Sequence, residues 1–446
     1  MKKNILSIIS VLVFIITVFK LITLNIVPIK FLIPFIILFL ILLLTGVVLY
    51  NLKKKALFII GIILIVFNII LNITCIYYIT NTNKFIKDNF TGDIKYNSSY
   101  YLITNKDNEI NSIDELDENS IINYYKYSNN VEQALEQLGN YNYQEIDKIE
   151  VNDYLLLDVN NYKLLKEEYK IIYEFNIEIK EERNKDVLDS YNIYIGGRDF
   201  TRSLMDFNMI VTINNKTRTI LLTNIPRDYY IDIPSYNQKD SLEFMGLLGE
   251  NVIMDSLENL LDTKIDNYAS IYTDGLVEIV DKIGGIDYCS DITFTTTHAL
   301  VLDTYDDTLG PKLTINKGCQ HLSGIETLTV ARERIKVGSD RQRQKNCTKI
   351  FKSILERSLS LTTLKNYESM LNSVSNLYQT NINEQTVTNL IKNLLNNKYT
   401  IIEQSLDGTD GNDYIRLSTA RSYVMYPNLN SVFDVKNKIK GVLDEK

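Results

Sequence analysis

The stretch YNIYIGGRDFTRSLMDFNMIVTINNKTRTILLTNIPRDYY, residues 191–230, decides the fold. Three apolar, β-rich segments (191–195, 207–213 and 217–223) are separated by short polar breaks. Runs of this kind, bounded by turn residues, predict strands. The first break carries Arg198, Asp199, Arg202 and Asp206, and Arg227 and Asp228 follow the last run. Strands of an α/β sheet that end in charged loops are a usual place for a site. Arginines suit a phosphate, and carboxylates suit its metal. The plainer reading is a solvated hairpin whose charges pair with one another.

The 446 residues leave room for two or three domains beside a membrane region. Tyrosine is abundant (30) and tryptophan absent, a bias that leaves the Lys, Asn, Ile and Tyr counts with little functional weight. The net charge of −8 is unevenly placed. Residues 1–84 hold eight lysines and no acid, which leaves −16 on the remainder. A remainder so acidic argues against nucleic acid as a partner, so any anion site must be a local basic cluster.

Three apolar runs open the chain, about Ile5–Leu24, Phe31–Tyr50 and Ala56–Thr80. Each approaches the ~20 residues that span a bilayer. Lys20 lies near the end of the first, where its amine can snorkel to the interface. Lys2 and Lys3 precede the first run, Lys53, Lys54 and Lys55 separate the second from the third, and only Lys30 lies between the first two. The positive-inside rule then predicts a multi-pass cell-membrane protein with a cytoplasmic N-terminus. Residues 1–81 form the all-α transmembrane region, and residues from about 82 onward lie outside. Residues 82–97 read as a polar linker that lifts the next domain off the membrane.

Residues 98–180 read as a small α/β accessory domain. Its expected elements are strands at Tyr100–Thr104, Tyr154–Val159 and Ile171–Ile179 and a helix at Val131–Leu138. No catalytic cluster is visible there. A larger α/β unit follows over 185–380, with a C-terminal α/β extension over 381–446. Apolar positions at helical spacing predict helices at Val252–Leu261 and Thr273–Ile283, the latter capped by Thr273 or Asp274 and stopped by Gly284-Gly285. Such stripes mean core, unless part of one lines a lipid tunnel. The C-terminal part should hold a helix at Glu384–Leu395, strands at Tyr399–Glu403 and Tyr423–Tyr426, and a helix near Ser431–Val442.

In Gly318–Arg334 (GCQHLSGIETLTVARER), Ser323 and Glu326 have the spacing of a capping box. If the end of this stretch is extended, Arg332 and Arg334 share a face and could grip a pyrophosphate. Alternatively Glu333 neutralises them. Next comes GSDRQRQKNCTKIFKSILERS, where Asp340 can cap a helix running to about Ser358. Arg341 and Arg343 then fall in a first turn, where cations oppose the helix dipole and an anion would gain from both. Four arginines within twelve residues of an acidic region point to an anion site.

Cys75 lies in the third apolar run, and Cys289, Cys319 and Cys347 lie outside it. Cys289 ends a strand-like run and Cys319 precedes the capping box, which predicts a Cys289–Cys319 disulfide. His298 and His321 lack companions at metal-ligand spacing, and no G-x-S-x-G elbow occurs, which argues against a zinc site and a Ser-His-Asp hydrolase.

GGRDF, a following Asp, IPRDYY, GIDY, LSG, ARER and SDRQR occur here in the order seen in the LytR-CpsA-Psr family of envelope phosphotransferases. The chain resembles that family well over roughly 190–360. Its three-span anchor and C-terminal part look like those of clostridial-type members. Residues 98–180 resemble a small domain that some members carry. The resemblance implies an α-β-α sandwich and a phosphotransferase that moves an anionic glycopolymer from a polyprenyl-pyrophosphate carrier to peptidoglycan. It implies Mg²⁺ (or Mn²⁺) held by Asp199 and Asp206, which would also help activate the acceptor. Arg227, Arg332, Arg334 and Arg343 would clamp the pyrophosphate, with Arg341 beside them. Asp228 would orient Arg227, and Asp340 would support the arginines. The loop from Asp199 to Asp206 is short for the family, and LMD stands where many members have RSD, so Arg202 is expected to supply the missing guanidinium. Thr223-Asn224 replaces a Thr-Ser or Leu-Ser before IPRD. Cys347 stands where the family often has Gln, on the same helical face as Arg343. A non-catalytic polyprenyl-lipid-binding or envelope-sensing module, or a polyprenyl-pyrophosphate hydrolase, are the alternatives.

The disulfide has a direct check. Intact-mass measurement after alkylation under denaturing, non-reducing conditions should modify Cys75 and Cys347 only. Labelling of all four cysteines without reductant would rule the bond out.

Overall fold

The computed structural model describes residues 5–126, 128, 130–147, 154–163, 165, 169–184, 186, 188–236, 238–302, 310–358, 377–415 and 421–445. Lys185, the expected start of the larger unit, lies outside the described residues.

The opening stretch forms three antiparallel strands, Ser190–Arg198, Met205–Asn214 and Thr219–Ile225. The third begins two residues later than its composition suggests. The Asn214 side chain accepts from the amides of Lys216 and Thr217, and Arg218 takes φ +59°, so a turn consumes those positions. These strands sit at the centre of a six-stranded sheet in the order Tyr378–Thr380, Asn267–Ile271, Ser190–Arg198, Met205–Asn214, Thr219–Ile225, Thr400–Ser405. Asn267–Ile271 and Thr400–Ser405 pair parallel to their inner neighbours.

Both faces of this sheet are apolar, because alternate residues point to opposite sides. Tyr194, Ile210, Leu221 and Ile225 pack against helices Glu250–Leu261 and Leu429–Asp444 through Leu257, Val432 and Ile439. Ile193, Met209, Val211 and Leu222 pack against Asp340–Ser358 and Glu384–Asn396 through Phe351, Leu355, Val387 and Leu390. The result is the expected α-β-α sandwich. The described residues of the expected C-terminal extension are built into it, supplying an edge strand and a covering helix on each face.

A second sheet of five strands has the order Asn142–Ile146, Ile121–Tyr125, Tyr154–Asp158, Ile94–Asn105, Tyr169–Glu181. The first two of these strands escaped sequence reading. Asn142–Ile146 (NYQEI) is a polar edge strand with no apolar stripe to betray it. Helix Val131–Leu138 covers one face of this sheet. On the other, Ile103, Leu155 and Leu157 join the same apolar cluster as Tyr194 and Leu257, so the two sheets share a core.

Three helices are long and apolar enough to cross a membrane: Ile5–Leu24, Ile29–Tyr50 and Lys55–Phe90. The third corrects the expected linker. It continues for 36 residues, about 54 Å at 1.5 Å per residue, and strand Ile94–Asn105 starts almost at once. Phe85 and Phe90 are the cause, since both pack into the core of the six-stranded sheet and Phe90 stacks on Tyr378. Arg183 locks the joint by donating to the carbonyls of Asn89 (2.6 Å), Gly92 (3.2 Å), Thr380 (2.7 Å) and Ile382 (3.0 Å). Lys392, on helix Glu384–Asn396, donates to Asn25 in the turn between the first two spans (2.8 Å).

Elsewhere Cys289 and Cys319 stand directly opposite each other on paired strands Ile286–Ser290 and Gly318–Leu322, and are joined as a disulfide. Arg183→Ala should lower the stability of the full chain in detergent by about 1–3 kcal/mol, through four carbonyls left without their donor. Thermal unfolding checks this. A midpoint equal to wild type would show that the joint carries no load.

Candidate functional site

Each charged residue of the site is placed by a backbone feature. Pro226 ends strand Thr219–Ile225, and a turn closed by Tyr229 N to Pro226 O (3.2 Å) projects Arg227 and Asp228. The amide of Glu243 donates to the carbonyl of Arg227 at 2.8 Å. That bond brings Glu243 beside Arg227 from a distant part of the sequence. Asp206 is the second residue of its strand, and its carbonyl accepts from Arg343 (3.2 Å) on helix Asp340–Ser358.

The side chains then converge. One terminal nitrogen of Arg227 donates to both Asp206 and Glu243, the latter at 2.9 Å. Its Nε lies 3.9 Å from Asp228 and 3.8 Å from Asp340, and is buried without a hydrogen-bond acceptor. Asp340 holds Arg343 through Nε at 2.7 Å and a terminal nitrogen at 3.3 Å, and lies 3.9 Å from Arg334. Three guanidiniums (Arg227, Arg334, Arg343) therefore face four carboxyls (Asp206, Asp228, Glu243, Asp340), one negative charge in excess if all are ionised.

Protonation relieves that excess. Burial above all, reinforced by Asp206 and Asp228 against the pull of Arg227, pushes Glu243 from 4.5 up to about 7. Burial also raises Asp228, against Arg227. Asp340 moves the other way. Burial would raise it, but Arg343, Arg227 and Arg334 together hold it below the usual carboxylate range. Burial would lower Arg227, yet its surrounding acids raise it, so it stays charged. Arg334 is lowered by burial and by Arg227 and Arg343, which Asp340 and Asp206 only partly offset.

Beside the cluster is an apolar pocket of about 340 Å³. Ile195, Phe207 and Ile271 of the sheet line it, with Leu276 and Ile279 of helix Thr273–Lys282, Leu328 of Gly324–Arg332 and Ile350 and Phe351 of Asp340–Ser358. Asp206, Arg332 and Arg343 also line it, so the pocket and the arginines are continuous. Helix Thr273–Lys282 thus gives part of its apolar stripe to a cavity, whereas Val252–Leu261 does not line it.

The expected site residues divide. Asp206, Arg227, Asp228, Arg334, Asp340 and Arg343 come together. Arg332 does not join Arg334 in one grip. The helix runs through Arg332, which donates to the carbonyls of Val301 (3.3 Å) and Leu302 (3.1 Å). Glu333 neutralises neither, because it is fully buried and accepts from the backbone and hydroxyl of Thr297. Arg341 turns to the Gly408 carbonyl (2.8 Å) and Asp410 (2.9 Å). Arg202 pairs with Asp274 at 2.6 Å and lies over the Tyr272 ring. The helix cap is Ser339, whose hydroxyl accepts from the Gln342 amide at 3.2 Å, which leaves Asp340 for Arg343. Cys347 lines the pocket, its thiol pushed up to about 11 by burial.

Asp199 does not fit the metal role. Its Oδ1 accepts from the amides of Ser203 and Leu204 (3.0 Å each), and both oxygens accept from the Thr201 hydroxyl. It is spent on holding the short 199–204 loop. Among the described residues no three His, Cys, Asp or Glu are grouped to hold a metal. Asp206 does fit as a single protein ligand, since Mg²⁺ commonly takes one or two carboxylates and fills its shell with phosphate oxygens and water.

Glu243 was missed, because it carries no motif and only its bonds to Arg227 reveal it; Arg198 was named in the first break but given no role. Arg198, buried with Glu250 (2.7 Å), also donates to the carbonyls of Arg202, Ser203 and Gly246, and so fixes the short loop from behind.

Residues 157–440 match the LytR_cpsA_psr family, and the chain belongs to it. It is 31% identical over 179 residues to a polyisoprenyl-teichoic acid–peptidoglycan teichoic acid transferase TagU of Enterococcus faecalis, covering 40% of this chain and 54% of that one. It is 27% identical over 187 residues to biofilm regulatory protein A of Streptococcus mutans, covering 40% and 44%. The chain thus spans about half the length of these relatives. The crystal structure of Bacillus subtilis TagV superposes with a TM-score of 0.48 at 22% identity, covering 58% of this chain and all of that one.

Glu243 gives a pH test with a definite sign. A carboxyl whose value rises on folding favours the folded state most below its ordinary value of 4.5, and that contribution is lost as pH climbs through about 7. Glu243→Gln cannot titrate, so its unfolding midpoint should gain on wild type between pH 5 and pH 8. Parallel profiles would contradict the assignment.

Proposed function

We propose that this chain is a membrane-anchored transferase that moves an anionic glycopolymer, with its phosphate, from a polyprenyl-pyrophosphate carrier to a peptidoglycan hydroxyl. One observation carries the reading: an arginine cluster at the edge of an apolar pocket suits a ligand that is pyrophosphate at one end and hydrocarbon at the other. Family membership and the names of the relatives support it. The lysines flanking the three spans favour the topology in which the sandwich lies outside the cell.

In this reading the isoprenoid lies in the pocket, and Arg227, Arg334 and Arg343 hold the pyrophosphate. The acceptor hydroxyl attacks the phosphorus nearer the polymer. The bond from that phosphorus to the bridging oxygen breaks, and polyprenyl phosphate leaves. The hydroxyl proton passes to Glu243, whose carboxyl sits near neutrality as a general base requires. The guanidiniums stabilise charge gathering on the bridging and equatorial oxygens. Mg²⁺ or Mn²⁺, held by Asp206 together with substrate phosphate oxygens, would neutralise part of the same charge.

Asp199 being spent on its own loop favours one second reading, lipid binding without turnover. Complementation separates the two. In a strain dependent on the variant, Arg227→Ala and Glu243→Gln should each cut wall-bound polymer at least about 100-fold, the scale of a lost electrostatic or general-base contribution. Wall-bound polymer at the wild-type level with either variant would refute transfer by this site.

A further inference from the structure

A second cleft, about 380 Å³, adjoins the apolar pocket and shares Arg198 and Tyr272 with it. It opens between the two sheets. Tyr96 and Asn97 of strand Ile94–Asn105 form part of one wall, and Asn251, Tyr268 and Gln379 part of the other. Glu181, at the end of strand Tyr169–Glu181, bridges them, accepting from the Asn251 amide (3.1 Å) and the Tyr268 hydroxyl (3.2 Å). The shared apolar core of the two sheets holds these walls in register.

The charges lining this cleft cancel locally. Arg198 is taken by Glu250, Arg202 by Asp274 and Lys180 by Glu178. A phosphate or nucleic acid would find no surplus of cations here, in contrast with the neighbouring arginine cluster. A hydrocarbon would meet mostly polar walls. The rest of the lining is carboxamides and phenol groups around the Glu181 carboxylate, a set of donors and acceptors that matches hydroxyl and acetamido groups. A site built of such groups selects strongly for ligands that complete its hydrogen bonds.

Arg202 lines the polar cleft beside Tyr272, which the two cavities share. It takes φ +61°, a left-handed conformation that non-glycine residues seldom adopt. In that conformation its guanidinium lies 4.3 Å above the Tyr272 ring and reaches Asp274. Residues held in rarely populated conformations concentrate where a ligand is clamped.

We propose that this polar cleft is a glycan subsite that holds sugar units of the acceptor strand beside the lipid pocket. The identity of the ligand as an acceptor rests on the transferase reading, whereas the binding of a neutral saccharide there does not. The accessory sheet then has a role, because it supplies one wall of the subsite.

The test uses the full chain in detergent micelles, with a tetrasaccharide of N-acetylglucosamine as probe and farnesyl pyrophosphate titrated separately. Asn251→Trp and Asn97→Trp plug the cleft from opposite walls, at exposed positions outside the arginine cluster. The tetrasaccharide should bind the wild type, and either substitution should weaken it about tenfold or more while farnesyl pyrophosphate affinity stays unchanged. No saccharide binding to the wild type, or undiminished binding in both variants, overturns the subsite. Loss of farnesyl pyrophosphate binding by the wild type would instead count against the transferase reading and leave the saccharide result standing.

Discussion

The structure turns on the guanidinium of Arg227, which reaches Asp206 and Glu243 through a single nitrogen. Its partners come from a strand start and a short helix after a hairpin, while Asp340, close to its Nε, starts a long helix. These elements meet only when the sandwich is closed. Removing Arg227 would leave the largely buried carboxyls of Asp228 and Glu243 without their cation, a greater loss than that of a surface pair. The arginine keeps a buried Nε without an acceptor in return. A buried donor of this kind calls for a partner, and a phosphate oxygen is of the right chemistry.

Much of this was legible in the chain. Continuous apolar runs betrayed the central strands, because both faces of the sheet are buried. The arginines stood out against an acidic background. What stayed hidden depends on rotation and register. Arg341 and Arg343 are two residues apart, but on a helix that is about 200° of turn, so one faces Asp340 and the other Asp410. Arg332 and Arg334 part because the helix ends between them. Glu243 joins the cluster through a backbone bond and a side-chain bond to Arg227, 16 residues earlier, which no local pattern announces. The 82–97 segment read as a linker from its polarity, but Phe85 and Phe90 pack its first part as a continuation of the third helix, and strand Ile94–Asn105 takes the rest.

The joint at the end of the third apolar helix also reaches the pocket. The third span, Arg183, Tyr378 and helix Glu384–Asn396 form one packed unit. The helix also touches the turn between the first two spans. Tyr378 lines the apolar pocket as well as stacking on Phe90. The pocket is therefore tied directly to the end of the third apolar helix, and in the proposed reading a lipid bound there would lie close to the span.

The central claim is that the apolar pocket and the arginine cluster form a single site for one amphipathic ligand. Calorimetric titration of the full chain with farnesyl pyrophosphate, inorganic pyrophosphate and farnesol tests it most directly. The account predicts that farnesyl pyrophosphate binds more tightly than either half alone, and that inorganic pyrophosphate competes with it. Farnesyl pyrophosphate binding no tighter than inorganic pyrophosphate, or unaffected by it, would contradict the account.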